Sequence, residues 1–400
     1  MTLDRSTVTF GRPLLSEWQL DPSITYLNHG TVGATPRVVL DAQRRLQDEI
    51  ERNPSKFLLR ELSPIRVGHD NPPRGRLREA AEAVGRSLGA AGDNLVFVDN
   101  ATAGINAVLR SLALQPGDEI LITDLAYGAI HNAATFAARQ RGATVVRIEL
   151  PHPLGDPADA IRVIDDALTT RTRLAIVDHV TSESALVLPL GGIAQRCRER
   201  GVLVLADGAH APGAIPLDIE ALDVDFYAAN LHKWAWAPRS CGILWAAPRH
   251  HTWLHPPVIS WGLYQGFTTE FDWVGTRDPT PALTAPTALA LMDEFGADRV
   301  WTYNHHLAWT AARWLSEHWS TAFDTPETMI GVMATVPLPE SAGSTPEDAA
   351  RLRDRLLFDD RIEAQIHGGR ERLWVRISAQ IYTEMADIER LARAIDARVR

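Results

Sequence analysis

Lys233 and Asp207 are the residues in this 400-residue chain whose types and spacing could do chemistry. Only two of its forty basic residues are lysines, Lys56 and Lys233. Arginine supplies charge, hydrogen bonds and stacking at least as well, but its guanidinium stays protonated and is a poor nucleophile. Lysine alone offers an amine that can shed its proton and form an imine with a carbonyl. Lys233 lies in the apolar, aromatic stretch Asn230-Leu231-His232-Lys233-Trp234. Lys56, in Asn53-Pro54-Ser55-Lys56-Phe57, has no such company and reads as surface charge.

The apolar run 202–206 leads straight into Asp207-Gly208-Ala209-His210-Ala211-Pro212-Gly213. A carboxylate is thereby set at the carboxyl end of a parallel strand, where open α/β sheets bind ligands. An aspartate after a strand is, by itself, more often a cap or a turn. An aspartate and a lysine at one sheet edge match the needs of pyridoxal 5'-phosphate: an amine for the aldehyde and an anion for the pyridinium nitrogen. Asn100-Ala101-Thr102-Ala103-Gly104 adds a strand-to-helix turn of small residues. Helix N-termini bind phosphate because their first N–H groups lack partners. An N-cap at Asn100 or Thr102 explains the same residues, and both roles can hold.

These residues need a sheet to carry them. Apolar runs at 95–98, 119–123, 144–148, 174–177, 202–206, 224–227 and 242–245 alternate with helical periodicity at 104–114, 129–140, 158–168 and 190–200. This predicts an α/β fold with a mainly parallel sheet covered on both faces. Beyond about residue 248 the chain turns Pro- and aromatic-rich. Helices are expected at 286–297 and 300–319, then a smaller α+β part ending in a helix at 388–398. The expected division is an N-terminal arm over 1–20, a large α/β domain over 21–255, and a connection with a small C-terminal domain over 256–400. The segment 26–36, with its Asn-His-Gly turn, precedes a helix at 37–51 and is expected to thread between the domains.

Composition narrows the partners. With 45% hydrophobic and 22% charged residues the chain reads as an ordinary globular protein with a large core. A net charge of -10 without like-charge runs argues against nucleic acid and anionic membranes. No apolar run reaches membrane-spanning length, and residues 1–20 do not read as an export signal. Two cysteines, Cys197 and Cys241, form neither a disulfide framework nor a metal motif, which fits a reducing cytoplasm.

Taken in order, Asn-Ala-Thr-Ala-Gly, Asp-Gly-Ala-His-Ala-Pro-Gly and Asn-Leu-His-Lys-Trp resemble the class V aminotransferase family of fold-type I pyridoxal-phosphate enzymes, in particular isopenicillin N epimerase and its relatives. Tyr26-Leu27-Asn28-His29-Gly30, Phe57-Leu58-Leu59-Arg60-Glu61, Val274-Gly275-Thr276-Arg277-Asp278 and Val375-Arg376-Ile377-Ser378 extend the likeness over nearly the whole chain. The resemblance implies that Lys233 carries the cofactor as an internal aldimine and moves the Cα proton, and that Asp207 pairs with the pyridine nitrogen. It implies that His210 and Ser182 approach the ring hydroxyl, that Tyr127 stacks on the ring, and that Ala101, Thr102 and His232 hold the phosphate. Arg376 would bind the substrate carboxylate in a bidentate pair, with Asn28 and His29 near the substrate. Thr276 would reach the phosphate of a partner subunit, which implies a homodimer with shared sites. Tyr127 as a half-buried aromatic, Arg376 as a structural ion pair and His29 as a turn histidine are the competing readings.

The implied chemistry forks after loss of the Cα proton. Reprotonation on the opposite face is epimerisation, loss of a β-substituent such as a thiolate is carbon-sulfur lysis, and reprotonation at the cofactor is transamination or oxidative deamination. Desulfurase chemistry needs a mobile nucleophilic cysteine, and Cys197 falls in an expected helix and Cys241 at a strand start. The leading expectation is β-elimination on a bulky amino acid in specialised metabolism, with epimerisation next. A non-catalytic binding homologue would be expected to have lost Lys233 or Asp207, and both are present. Trp234, Trp236, Trp245, Trp253, Trp261 and Trp273 cluster after the lysine and suggest an aromatic wall on the substrate side, or core.

Overall fold

The computed structural model describes residues 4–63 and 74–399, so the first three residues of the expected N-terminal arm lie outside it. After a short strand β1 (Thr25–Tyr26), seven strands build the main sheet: β2 (Leu95–Val98), β3 (Glu119–Thr123), β4 (Thr144–Ile148), β5 (Thr172–Asp178), β6 (Leu203–Gly208), β7 (Phe226–Asn230) and β8 (Gly242–Ala246). Their order is β2-β8-β7-β6-β5-β3-β4. All are parallel except β8, which runs antiparallel to both β2 and β7. The near-continuous apolar runs reflect burial of both sheet faces. Along β2, Leu95 and Phe97 enter one core while Val96 and Val98 enter the other.

The crossover helices lie where periodicity placed them, at Ala101–Ser111, Gly128–Arg141, Pro157–Ala167 and Leu190–Glu199. Asn100 caps the first by accepting the Ala103 N–H. In the C-terminal part, β9 (Met333–Pro337), β11 (Gln365–Gly369) and β12 (Arg372–Ser378) form an antiparallel sheet in the order β11-β12-β9. The small strand β10 (Ile362–Glu363) pairs instead with β1, at the chain's beginning.

One expectation fails here for a physical reason, and a second resolves between its two readings. The helix expected to begin at Pro286 is Thr280–Phe295, with Pro286 inside it. Pro281 in its first turn is the better start, since a proline there gives up no hydrogen bond, and packing against helices Arg37–Arg52 and Arg76–Ser87 holds the interior proline in place. The tryptophans after Lys233 mostly follow the core reading, with Trp253 and Trp273 packed part-buried against the cores and Trp261 70% exposed. Trp234, Trp236 and Trp245 are buried, and Trp236 stacks edge-on to Trp18 and Phe295 in the core.

A buried ion pair joins the connection to the main sheet. Arg78 donates to both carboxylate oxygens of Asp272, at 2.8 and 2.7 Å, and to the carbonyls of Gly92 and Leu95. Breaking such a pair strands a buried charge, so Asp272→Ala is expected to destabilise the fold by about 3–5 kcal/mol in urea unfolding. Among the described residues no helix is long and apolar enough to cross a membrane.

Candidate active site

Lys233 stands in the turn that leaves β7, at the carboxyl edge of the main sheet. Its Nζ lies 2.9 Å from His210 Nε2, on the loop after β6. The other ring nitrogen of His210, Nδ1, accepts the indole N–H of Trp234 at 3.4 Å. An indole can only donate, so the neutral ring carries its hydrogen on Nε2 and donates it to the lysine amine. That bond requires a neutral amine. Consistently, burial and the nearby Arg376 guanidinium push Lys233 down to about 7, against the pull of Asp207 and Asp178. A protonated amine cannot attack an aldehyde, so capture of added pyridoxal phosphate by the cofactor-free protein is expected to fall as pH drops through about 7. Stopped-flow absorbance against pH checks this; a midpoint near that of a free lysine would contradict it.

Backbone packing holds the lysine in place. Gly33 has φ +68, and a Cβ there would lie 1.9 Å from the His232 carbonyl oxygen. Gly213 has φ +83, and a Cβ there would come within 2.4 Å of the Trp234 carbonyl oxygen. Both segments therefore press on the Lys233 turn as only glycine allows.

Asp207 is buried near the end of β6, where its Oδ1 accepts the Ala209 N–H at 3.0 Å. Burial holds its carboxyl above the usual range, with the Ala209 bond and Lys233 opposing. Asp178, which sequence reasoning missed, ends β5 in register with it. Its signal was the one used for Asp207, a carboxylate at a strand end.

At the start of helix Ala101–Ser111 the Ala101 N–H is taken by Asn230 Oδ1 at 2.8 Å. The phosphate role expected of Ala101 therefore cannot rest on its N–H, and Thr102, with its hydroxyl, lines the pocket at the same helix end. His232 donates Nδ1–H to the Cys241 carbonyl at 2.9 Å, which leaves Nε2 for the pocket. Burial pushes His232 down to about 4; a phosphate dianion beside it would draw that value back up.

These residues, with Thr31, Tyr127 and Ser182, line one cavity of about 160 Å³ around Lys233. Tyr127 caps helix Gly128–Arg141 and is 52% exposed at its mouth. Tyr127 and Ser182 also line an adjoining cleft of about 1100 Å³ that reaches His152, Phe323 and Trp374.

Arg376, on β12, is buried behind the cavity wall. It donates to the Ser182 carbonyl at 2.7 Å, Thr31 Oγ1 at 2.7 Å and Asn28 Oδ1 at 3.2 Å, while its Nε has no partner. Among the described residues no carboxylate pairs with it, and burial lowers it to about 10. A buried cation without an anion is costly unless a ligand supplies one. Asn28 holds Arg376 and donates to Glu363.

His29 lies elsewhere than expected. It is fully buried, donates Nε2–H to the Lys233 carbonyl at 3.0 Å and accepts the Tyr382 hydroxyl on Nδ1 at 2.8 Å. With both nitrogens engaged it braces the lysine backbone and has no free face for substrate. Thr276 is exposed and outside the cavity, while the neighbouring Arg277 reaches Asp99 at 3.6 Å. Lys56 is exposed and pairs with Glu61 at 2.8 Å.

The Aminotransferase class-V family model matches residues 74–353. Isopenicillin N epimerase of Streptomyces clavuligerus is 32% identical, with 94% of this chain and 96% of that protein covered. An L-cysteine desulfhydrase of Arabidopsis thaliana is 29% identical, covering 96% and 91%. Among solved structures, the cystine C-S lyase C-DES in complex with cysteine persulfide superposes with a TM-score of 0.78 over 96% of this chain and 99% of that one, at 22% identity, a likeness of fold. The chain belongs to the class V aminotransferase family, and it is a pyridoxal-phosphate-dependent enzyme of fold type I. Its own residues fit the cofactor: a neutral amine, a strand-end carboxylate and a helix N-terminus converge on one cavity.

Proposed function

We propose that the enzyme breaks the bond from Cβ to a leaving group, in the first instance a thiolate, of a bulky L-amino acid. The observation that carries this reading is the cleft of about 1100 Å³ opening from the lysine cavity through Tyr127 and Ser182. A cavity of about 160 Å³ already suits the reacting atoms. The added space serves a large group on Cβ and its departure after cleavage.

Lys233, Asp207, His210, Thr102, His232, Tyr127 and Ser182 are the residues proposed to hold the cofactor. Bound pyridoxal phosphate supplies an aldehyde that captures the amino group and a pyridinium ring that accepts the electron pair left at Cα. Arg376 holds the substrate carboxylate, in the paired geometry its planar fork favours. Lys233 removes the Cα proton, with His210 Nε2–H orienting its lone pair. Asp207, kept anionic, would hold the ring nitrogen protonated. His29, through the Lys233 carbonyl, keeps the amine on station. The thiolate then leaves into the cleft.

Desulfurase chemistry finds no thiol here. Cys197 and Cys241 are fully buried, and burial pushes Cys197 up to about 12. Epimerisation, the second reading, is favoured by the likeness to a named epimerase and needs a second acid on the opposite face. The exposed Tyr127 phenol at the cavity mouth is the candidate. Tyr127→Phe separates the two readings, with thiol release expected to persist and any epimerisation to be lost.

The test is thiol and keto-acid release from L-cysteine and from S-substituted L-cysteines of growing size. The bulky thioethers are expected to give higher kcat/KM than free cysteine; a preference for free cysteine would contradict the role given to the cleft. A homodimer completed by Thr276 of each partner and a cytoplasmic location, supported by the two free thiols, belong to the same proposal.

A further inference from the structure

Asp178 has no role in the proposal so far. It is the last residue of β5, and its Cα is paired in register with that of Asp207 on the parallel strand β6. Residues level with each other on parallel strands project to the same face. Both carboxyls line the lysine cavity, and each residue is only 4% exposed.

The cations and titratable groups that face this pair are committed elsewhere. Lys233, from the turn after β7, is bonded to His210. Arg376, from β12, is bonded to Ser182, Thr31 and Asn28. The ring of His179, next in the chain, meets the Tyr227 hydroxyl at 2.8 Å. Among the described residues neither aspartate has an ion-pair partner. Two neighbouring carboxylates sharing one buried site do not both ionise. Asp207 has the better claim to the charge, since it accepts the Ala209 N–H and is the residue that the family resemblance sets against the pyridinium nitrogen.

The geometry points to Asp178 as the neutral half of a carboxylic acid–carboxylate pair, held uncharged beside Asp207 so that the charge opposite the cofactor's ring nitrogen stays at one. Burial and the charge of Asp207 both push Asp178 well above the usual carboxylate range. A single anion matches a single ring N–H. Asp178 is thus a positioning residue, acting through Asp207. The inference rests on the cofactor site and not on which bond is cleaved.

An asparagine mimics a neutral acid: it is uncharged and keeps a donor. Titration of the holoenzyme's visible absorbance with pH is therefore expected to give the same midpoint in wild type and Asp178→Asn, while Asp207→Asn moves it. If Asp178 were ionised, its replacement would remove a full charge beside the ring and shift the midpoint by about one unit or more; that shift would overturn the proposal. A spectrum unmoved by Asp207→Asn would overturn the placement of the ring itself, a distinguishable failure.

A second readout needs neither activity nor cofactor. A folded-state value raised above the unfolded one gives stability that is present at low pH and lost as pH rises through the raised value. The cofactor-free wild type is therefore expected to lose thermal stability with rising pH more steeply than Asp178→Asn, and parallel profiles would count against the pair. Should Asp178→Asn not fold, infrared spectra of wild-type holoenzyme labelled with 13C-aspartate decide: a protonated carboxyl band at neutral pH supports the pair, and its absence overturns it.

Discussion

Lys233→Ala is expected to abolish turnover, with kcat lowered by at least about 10³-fold, within the span of positioned acid–base catalysis. The same variant should lose the visible band of the bound cofactor, because the chain's other lysine, Lys56, is exposed and paired with Glu61. The lysine does two jobs, anchoring the aldehyde and moving the Cα proton, so added small amines should restore only part of the rate. The fold should be little changed, since the Lys233 carbonyl that His29 uses belongs to the backbone and survives the substitution. Absorbance, turnover and thermal unfolding measured on one preparation check all three points. A visible band of wild-type intensity in Lys233→Ala would contradict the assignment.

Arg376→Ala is expected to raise KM far more than it lowers kcat, with kcat/KM down by about 10²-fold. Hydrogen bonds to charged groups contribute about 1.5–3 kcal/mol, and the paired geometry adds to that. Arg376→Lys should rescue little, since a point ammonium cannot make the two parallel bonds. In the cofactor-free protein the substitution removes a buried cation that has no ion-pair partner among the described residues, so stability should not fall steeply. A structural ion pair, the competing expectation, would behave the other way, with stability lost and KM unmoved.

The main sheet was legible because a parallel sheet covered on both faces imprints its strands as continuous apolar runs. β3 and β4 fall at the residues read from the sequence, and β5, β6 and β7 run past the expected ends at the ligand edge, to Asp178, Gly208 and Asn230. Those extensions matter: they put Asp178 and Asp207 inside the strands, paired in register, instead of in loops. The start of helix Thr280–Phe295 was placed at Pro286, a residue that tertiary packing tolerates in the helix interior. The pairing of β1 with β10 joins residues more than three hundred positions apart and leaves no local signal.

At the site, chemistry that depends on residue type was readable and chemistry that depends on orientation was not. The rarity of lysine and the strand-end aspartate pointed to Lys233 and Asp207. The role of His29 depends on which way its ring faces, and only the fold shows it turned to the Lys233 carbonyl and Tyr382. The tautomer of His210 likewise follows from the Trp234 indole, a contact no spacing rule predicts. The tryptophan cluster left two readings open because aromatic density looks the same whether it lines a cleft or fills a core.

The central claim is that one cavity, with Lys233 as its base and a cleft for the leaving group, carries out β-elimination. Its most direct test is proton NMR of the holoenzyme with an S-substituted L-cysteine in D2O. The predicted result is loss of substrate matched by equal thiol and pyruvate. Accumulation of substrate deuterated at Cα and inverted in configuration, without thiol, would contradict it.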